Sequence, residues 1–166
     1  GRGNLTQEDL QDVFLSSLVG LPAWGARQGY GSFLTIEFGN PCFEHPMQLR
    51  DGSKPRSDLT SYGEWHVWIY CCHWRILSDD QELADSEANF LKIEQALDVI
   101  SGQTLLGIHV DQLNGRSEFE FANDRILQTW PYGDDLQEKQ WHIYGSEGVL
   151  TYLANGTLLV EPSVVQ

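Results

Sequence analysis

Hydrophobic and polar positions along this chain recur at two periods, and the changes of period mark its elements. Between Thr6 and Gly20 the apolar residues Leu10, Val13, Phe14 and Leu18 fall at helical spacing. Thr6 is placed to cap the first turn, with Asp9 three residues on as a variant of the capping box. Glu8, Asp9 and Asp12 suit the positive end of the helix dipole, and Gly20 and Pro22 end the segment. A second helix is predicted in the later part of "SDDQELADSEANFLKIEQALDVISG". There Phe90, Ile93, Leu97 and Ile100 share a face, Glu87, Glu94 and Asp98 lie away from it, and Gly102 is the stop. The acidic first half of that stretch reads as the solvated approach to the helix.

Elsewhere the period is two. In "GSFLTIEFG", Phe33, Thr35 and Glu37 fall on one face and Leu34, Ile36 and Phe38 on the other, which predicts a strand between Gly31 and Gly39. "GEWHVWIYCCHWRI", Gly63 to Ile76, is the longest such run. Trp65, Val67, Ile69, Cys71, His73 and Arg75 share one face, and His66, Trp68, Tyr70, Cys72, Trp74 and Ile76 share the other. Both faces are bulky and largely apolar, so the run reads as a central strand covered on both sides, with a bend or bulge because strands of this length seldom stay flat. After the second helix come hairpin signals. "LLGIHVDQL", Asn114-Gly115 and "SEFEF" lead through Asn123-Asp124 into "RILQTW". "PYGDDLQEK" is a looser connection, followed by "WHIYG", a turn at Ser146-Glu147-Gly148, "VLTYLA", Asn155-Gly156 and "TLLVEP". Each Asn-Gly pair is expected to form the two central residues of a tight turn, with positive φ.

The resulting order is helix, two strands, helix, then about six short strands. It predicts an α+β fold: an antiparallel, meander-like sheet, strongly curved or partly barrelled, with two packed helices, in one domain over residues 1–166. Gly1 to Gly3 read as a cloning scar, or the chain as an excised domain. "GARQGYG", Gly25 to Gly31, reads as a flexible lead into the sheet; it precedes a strand rather than a helix and so lacks phosphate-binding geometry. "NPCFEHPMQLRDGSKPRSDLTSYG" holds three prolines and the basic residues Arg50, Lys54 and Arg56, and is expected to be a long loop.

Charge narrows the function. The chain has 24 acidic and 10 basic residues, a net charge of −14, which argues against nucleic acid and favours solubility or a basic protein partner. No run approaches the roughly 20 apolar residues of a membrane span, and "GRGNLTQEDLQD" has no apolar signal core. The expectation is a cytoplasmic protein with no membrane association. Three cysteines cannot all pair, and free, buried thiols are expected.

Candidate chemistry is sparse. Cys71 and His73 lie two apart on one strand face, and Cys42 and His45 have a C-x-x-H spacing; the four together have the ligand types of a Cys2His2 zinc site. A strand-borne C-x-H is not a standard zinc arrangement, however, and the intervening loop says nothing about proximity, so neither metal nor cofactor is expected. Glu118 and Glu120 alternate with Phe119 and Phe121 as in an ordinary half-exposed strand, which supports no acid–base pair. Phosphate-loop, zincin, nucleophile-elbow and dinucleotide motifs are all missing.

Several blocks resemble a widespread family of small bacterial proteins without an established activity: "GSFLTIEFG", "GEWHVWIYCCHWRI", "SGQTLL", "WPYGDD" and "QWHIYGSEGVLTYLANG". The resemblance spans most of Gly31 to Gly156 and implies a bacterial, cytoplasmic, single-domain protein. It carries over no catalytic residue. In size, acidity and α+β pattern the chain is also similar, more loosely and through no motif, to bacterial immunity proteins. The leading expectation is therefore a non-enzymatic interaction protein, of the immunity-protein or antitoxin kind, that neutralises a basic partner. Its contact residues would be Asp79, Asp80, Glu82, Asp85 and Glu87, with Asp134 and Asp135. The alternative is a small-ligand-binding module whose concave sheet face has Trp68, Tyr70 and Trp74 as walls.

Overall fold

The computed structural model describes residues 6–42 and 62–162. In chain order the elements are α1 (Gln7–Ser17), β1 (Ala23–Gln28), β2 (Leu34–Cys42), β3 (Tyr62–Ile69), β4 (His73–Ser78) and β5 (Gln81–Asp85). Then follow α2 (Phe90–Ile100), β6 (Leu105–Asp111), β7 (Arg116–Phe121), β8 (Arg125–Trp130), β9 (Lys139–Gly145), β10 (Gly148–Leu153) and β11 (Leu158–Pro162).

The strands form two open antiparallel sheets, one in the order β1-β2-β3-β9-β10-β11 and the other in the order β5-β4-β8-β7-β6. The α+β class is as expected, but the single curved or barrelled sheet is not: neither sheet is closed or strongly curled. The reason lies in the Gly63–Ile76 run. It bends at Tyr70–Cys72, and β3 belongs to the six-stranded sheet while β4 belongs to the five-stranded one. Strands that switch sheets through such a bend make the corners of sandwiches. The bend also shifts the parity of the buried positions. Before it the odd-numbered Val67 and Ile69 are fully buried; after it the even-numbered Trp74 and Ile76 are. Two half-buried strands joined out of phase look, in sequence, like one strand buried on both faces. The last six strands are meanders locally, β6-β7-β8 in one sheet and β9-β10-β11 in the other, with residues 131–138 crossing between them.

The two inner faces make the core. Phe38 stacks on Phe121 at 6.4 Å, and Phe119 meets Trp141 edge-on at 5.2 Å. Trp141 Nε1 donates to Ser117 Oγ across the sheets at 2.9 Å, and the Tyr152 hydroxyl reaches the carbonyls of Asp111 and Arg116, each at 2.8 Å. The helices fill the two sides. α2 lies against the edge strands β1 and β5, and α1 against the edge strands β11 and β6. Each helix thus covers a place where the core would otherwise meet water. α1 also satisfies part of an open strand edge. The amide of Gln7 donates to Val160 O and accepts from Val160 N, and Gln11 donates to Leu158 O. Spaced four apart on the helix, the two glutamines occupy the backbone groups of residues spaced two apart on β11, in place of a further strand.

Local signals are reliable where local geometry decides. Thr6 and Asp9 form the reciprocal capping box, both bonds at 3.1 Å. Asn89 caps α2 by accepting from Lys92 N. Within the helices Phe14, Ile93, Ala96, Leu97 and Ile100 are buried, as is Leu18 at the end of α1, whereas Val13 and Phe90 are exposed. Phe119 and Phe121 are buried between the partly exposed Glu118 and Glu120, as the alternation requires.

Other expectations are corrected. The acidic stretch before α2 is not an approach to that helix. Asp79 and Asp80 are the two turn residues of the β4–β5 hairpin, with φ of 51° and 66°, and Glu82 and Asp85 lie on the edge strand β5. Carboxylates suit a strand edge because like charges discourage pairing with another edge. Nor is "GARQGYG" merely flexible. Its first half belongs to β1, which pairs with β2 and carries a register shift between Trp24 and Arg27 that hides any alternation. The two Asn-Gly pairs turn the chain as expected but in longer loops. Residues 112–115 separate the paired Asp111 and Arg116, and Leu153 N bonds Thr157 O around residues 154–156. Only the glycine of each pair has positive φ, 72° at Gly115 and 88° at Gly156. Each asparagine instead accepts from the backbone N–H two residues on, at Arg116 and Thr157.

Candidate functional site

Three surfaces can be built from these elements: the outer face of each sheet, and one end of the sandwich. On the six-stranded sheet, cross-strand register sets Glu37 opposite His66, His66 opposite Tyr144, and Trp68 opposite His142. The Glu37 carboxylate lies 2.7 Å from His66 Nδ1 and accepts from Gly63 N at 3.0 Å, with both side chains buried. Trp68 lies 4.5 Å from Tyr70 and 5.5 Å from His142 between ring centroids, and Phe33 meets Trp68 edge-on at 5.9 Å. Trp68 and Tyr70 therefore share an aromatic face. Trp74 does not join them. It is fully buried in the other sheet, where its indole donates to Ser32 O at 2.7 Å. The parity shift at the bend removes it, and with no strong curl in the sheet the three-residue concave wall does not form. Sequence reasoning missed His142 and Tyr144 as members of this face, although their alternation in "WHIYG" carried the signal.

His142 gives this face a pH signature. Burial, with the Lys139 charge as a smaller contribution, lowers its pKa to about 4, and its Nδ1 lies 2.8 Å from Thr151 Oγ1. An unfolded histidine titrates near 6.5. Between the two values the unfolded chain binds more protons, so stability rises with pH across that window. Acidification from pH 6.5 to about 4 should cost roughly 3 kcal/mol through this group alone, since each tenfold difference in proton affinity between the folded and unfolded chains is worth about 1.36 kcal/mol. A His142→Gln variant should show a correspondingly flatter profile in urea melts over that range; an unchanged slope would place the proton uptake elsewhere.

On the five-stranded sheet the outer face carries one polar row to which every strand contributes. Asp85, Arg75, Gln128, Glu118 and His109 are consecutive cross-strand partners from β5 to β6. Arg75 Nε donates to Gln128 Oε1 at 2.6 Å, and Gln128 Nε2 donates to Glu118 Oε1 at 2.9 Å. The Arg75 guanidinium stands 6.0 Å from the centroid of Trp130. Beside this row runs a shallow groove of about 360 Å³ whose lining includes Arg75, His109, Arg116, Glu118 and Trp130.

The third surface is the sandwich end formed by residues 29–33, 70–72, 86–91, 112–115, 131–138 and 154–157. Bonds tie these segments together. Ser32 Oγ lies 3.2 Å from the Tyr132 hydroxyl, Asn155 N donates to Leu136 O at 3.0 Å, and Gln28 donates to Phe90 O at 2.9 Å. The end gathers exposed apolar side chains from four separate segments: Tyr30, Phe90, Leu91, Leu113, Tyr132 and Leu136, with Tyr30 and Leu113 more than nine-tenths exposed. Glu87, Asp134, Asp135 and Glu138 belong to the same loops. The acidic residues proposed from sequence thus divide. Glu87, Asp134 and Asp135 are at this end, with Asp85 close by at the end of β5; Asp79, Asp80 and Glu82 are around the β4–β5 turn at the opposite end. They do not make one patch. The basic group Arg50, Lys54 and Arg56 lies outside the described residues.

The four candidate metal ligands are not brought together. Cys42 is paired with Tyr62 at one end of the β2–β3 ladder, and Cys71 follows Ile69 beyond the other end. The seven steps from Tyr62 to Ile69 span roughly 23 Å at strand rise, too far for one ion to bridge. His45 lies outside the described residues, and among those described no group of three or more His, Cys, Asp or Glu is placed to hold a metal. His73 stacks on Trp130 at 5.7 Å and meets Tyr132 edge-on at 4.7 Å. The three cysteines are unpaired. Burial raises the pKa of Cys72, whose thiol points at Gln140 O, and burial together with Glu138 raises that of Cys71. Neither thiol has the lowered pKa that nucleophilic chemistry needs.

The class defined so far is an α+β sandwich of two open antiparallel sheets with a helix closing each side. Comparison with protein-family models, with curated proteins and with solved structures finds no match to this chain. Among the described residues no helix is long and apolar enough to cross a membrane.

Proposed function

We propose that this chain is a non-enzymatic interaction protein of the bacterial cytoplasm, acting as immunity proteins and antitoxins do, and that it docks a basic protein partner on the loop end of the sandwich. The observation that carries this reading is the gathering there of six exposed large apolar side chains from four segments, in loops that also hold Glu87, Asp134, Asp135 and Glu138. Scattered exposed apolar residues need no explanation, but several gathered at one end and framed by charge are how protein interaction surfaces are built. Loops held at one end of a sandwich are a favourable place for one, since the sheets fix their positions. Apolar anchors would supply affinity, and the carboxylates would choose a basic partner and speed encounter.

The expected result concerns the pair Leu113→Ser with Leu136→Ser. A partner captured from the host by the parent chain and then purified should bind this variant at least tenfold more weakly, while the variant melts like the parent because neither side chain is in the core. Unchanged affinity would remove the loop end as the docking surface.

A further inference from the structure

We infer that the groove on the outer face of the five-stranded sheet, which reaches the docking-end loops at Asp111, Arg116 and Trp130, is a binding site for a small monocarboxylate carrying a planar apolar group. The hydrogen-bonding groups in the groove differ in how far they are already engaged. Each of its two carboxylates is engaged through one oxygen: Glu118 Oε1 accepts from Gln128 at 2.9 Å, and Asp111 Oδ1 accepts from Leu113 N at 2.9 Å. Its cations are largely not. Arg75 uses Nε on Gln128, but its two terminal nitrogens have no partner among the described residues, and the Arg116 guanidinium has none either. In a chain with 24 acidic and 10 basic residues, two arginines line one groove of about 360 Å³ without an ion pair to any described carboxylate. The guanidinium N–H groups without a described partner thus outnumber the carboxylate oxygens without one, and a further negatively charged acceptor would meet that excess.

The chemistry narrows the class. The planar, two-pronged guanidinium matches a carboxylate in geometry and charge. Doubling the ligand's charge would double its repulsion from Glu118 and Asp111 along with its attraction to the arginines, so charge alone gives a phosphate dianion no advantage, and phosphate has no apolar part to cover Trp130. Trp130 lines the same groove, with Arg75 over its ring and His73 stacked beside it, and supplies a flat apolar surface for the remainder of the ligand. The polar row across all five strands holds Arg75 in place through Gln128 and Glu118, so the ordering cost of binding is partly met before the ligand arrives.

Sodium benzoate is the probe, with benzamide as its neutral isostere and inorganic phosphate as the dianion. Resonances of the Trp130 indole N–H and the Arg75 Nε–H should shift saturably with benzoate in the millimolar range. Benzamide and phosphate should bind at least fivefold more weakly. Arg116→Ala should weaken benzoate at least fivefold with an unchanged melting curve, since that side chain supports nothing else among the described residues. The absence of saturable shifts up to about 50 mM benzoate would overturn the proposal, as would equal binding of benzoate and benzamide or an Arg116→Ala variant that binds like the parent. Tighter binding of phosphate would overturn the assignment of a monoanion.

Discussion

Trp74→Ala should lower the unfolding free energy by about 3–5 kcal/mol, the range for emptying a large buried aromatic site. Trp68→Ala, in the same run of sequence, should cost markedly less. Trp74 has no exposed surface and packs between the sheets, whereas Trp68 is only half-buried on an outer face. Truncation at Trp74 also leaves Ser32 O without the 2.7 Å hydrogen bond from its indole, and an unsatisfied carbonyl adds to the cavity cost. Urea titrations followed by far-ultraviolet circular dichroism give both values, a shift of midpoint at constant slope indicating lost stability. If the two variants lose the same amount, the parity shift at Tyr70–Cys72 is wrong and the run is the continuous strand that its alternation suggests.

Gly156→Ala should cost about 2–4 kcal/mol, far more than a loop substitution ordinarily does. The β6–β7 and β10–β11 loops interlock through their glycines. A Cβ on Gly156 would stand 2.2 Å from Gln112 O, and one on Gly115 would stand 2.1 Å from Ala154 O. Both residues also have positive φ, a separate strain for any side chain. Gly102 separates the two effects. Its φ is the same 88°, yet a Cβ there meets nothing within 4 Å, so Gly102→Ala should show only the conformational penalty of roughly 1 kcal/mol. Because one substitution already parts the loops, Gly115→Ala combined with Gly156→Ala should cost less than the sum of the two. Equal losses at Gly102 and Gly156 in thermal melts would show that the loops do not press together.

Much of this fold was legible in the sequence wherever neighbours a few residues apart decide the outcome. The Thr6–Asp9 capping box, the alternation of Phe119 and Phe121 with glutamates, and the six strands after α2 are of this kind. What was not legible depends on contacts distant in sequence. The Gly63–Ile76 run alternates without a break, and only its division between two sheets gives Trp74 and Trp68 their opposite fates. β5 escaped notice because an edge strand with one buried residue, Ala84, needs little apolar pattern and tolerates charge. The candidate sites were hidden for the same reason. Tyr30, Phe90, Leu113 and Leu136 lie in four segments that only topology brings to one end, and the polar row from Asp85 to His109 draws one residue from each of five strands. Nothing in their spacing could announce either.

The measurement that bears most directly on the interaction reading compares association rates of two charge-neutralised variants with the purified partner, at low and at physiological salt. One carries Asp134→Asn, Asp135→Asn and Glu138→Gln at the loop end; the other carries Asp79→Asn, Asp80→Asn and Glu82→Gln around the β4–β5 turn. Each removes three negative charges, so long-range attraction to a basic partner falls equally, and any difference between them reports where the partner lands. Charges beside the contact act within a screening length of about 8 Å at physiological salt and keep their influence there, whereas remote ones lose it. At physiological salt the loop-end variant should associate several-fold more slowly than the parent and the turn variant at nearly the parent's rate. A turn variant slowed as much as or more than the loop-end variant would contradict this and move the docking surface to the opposite end of the sandwich.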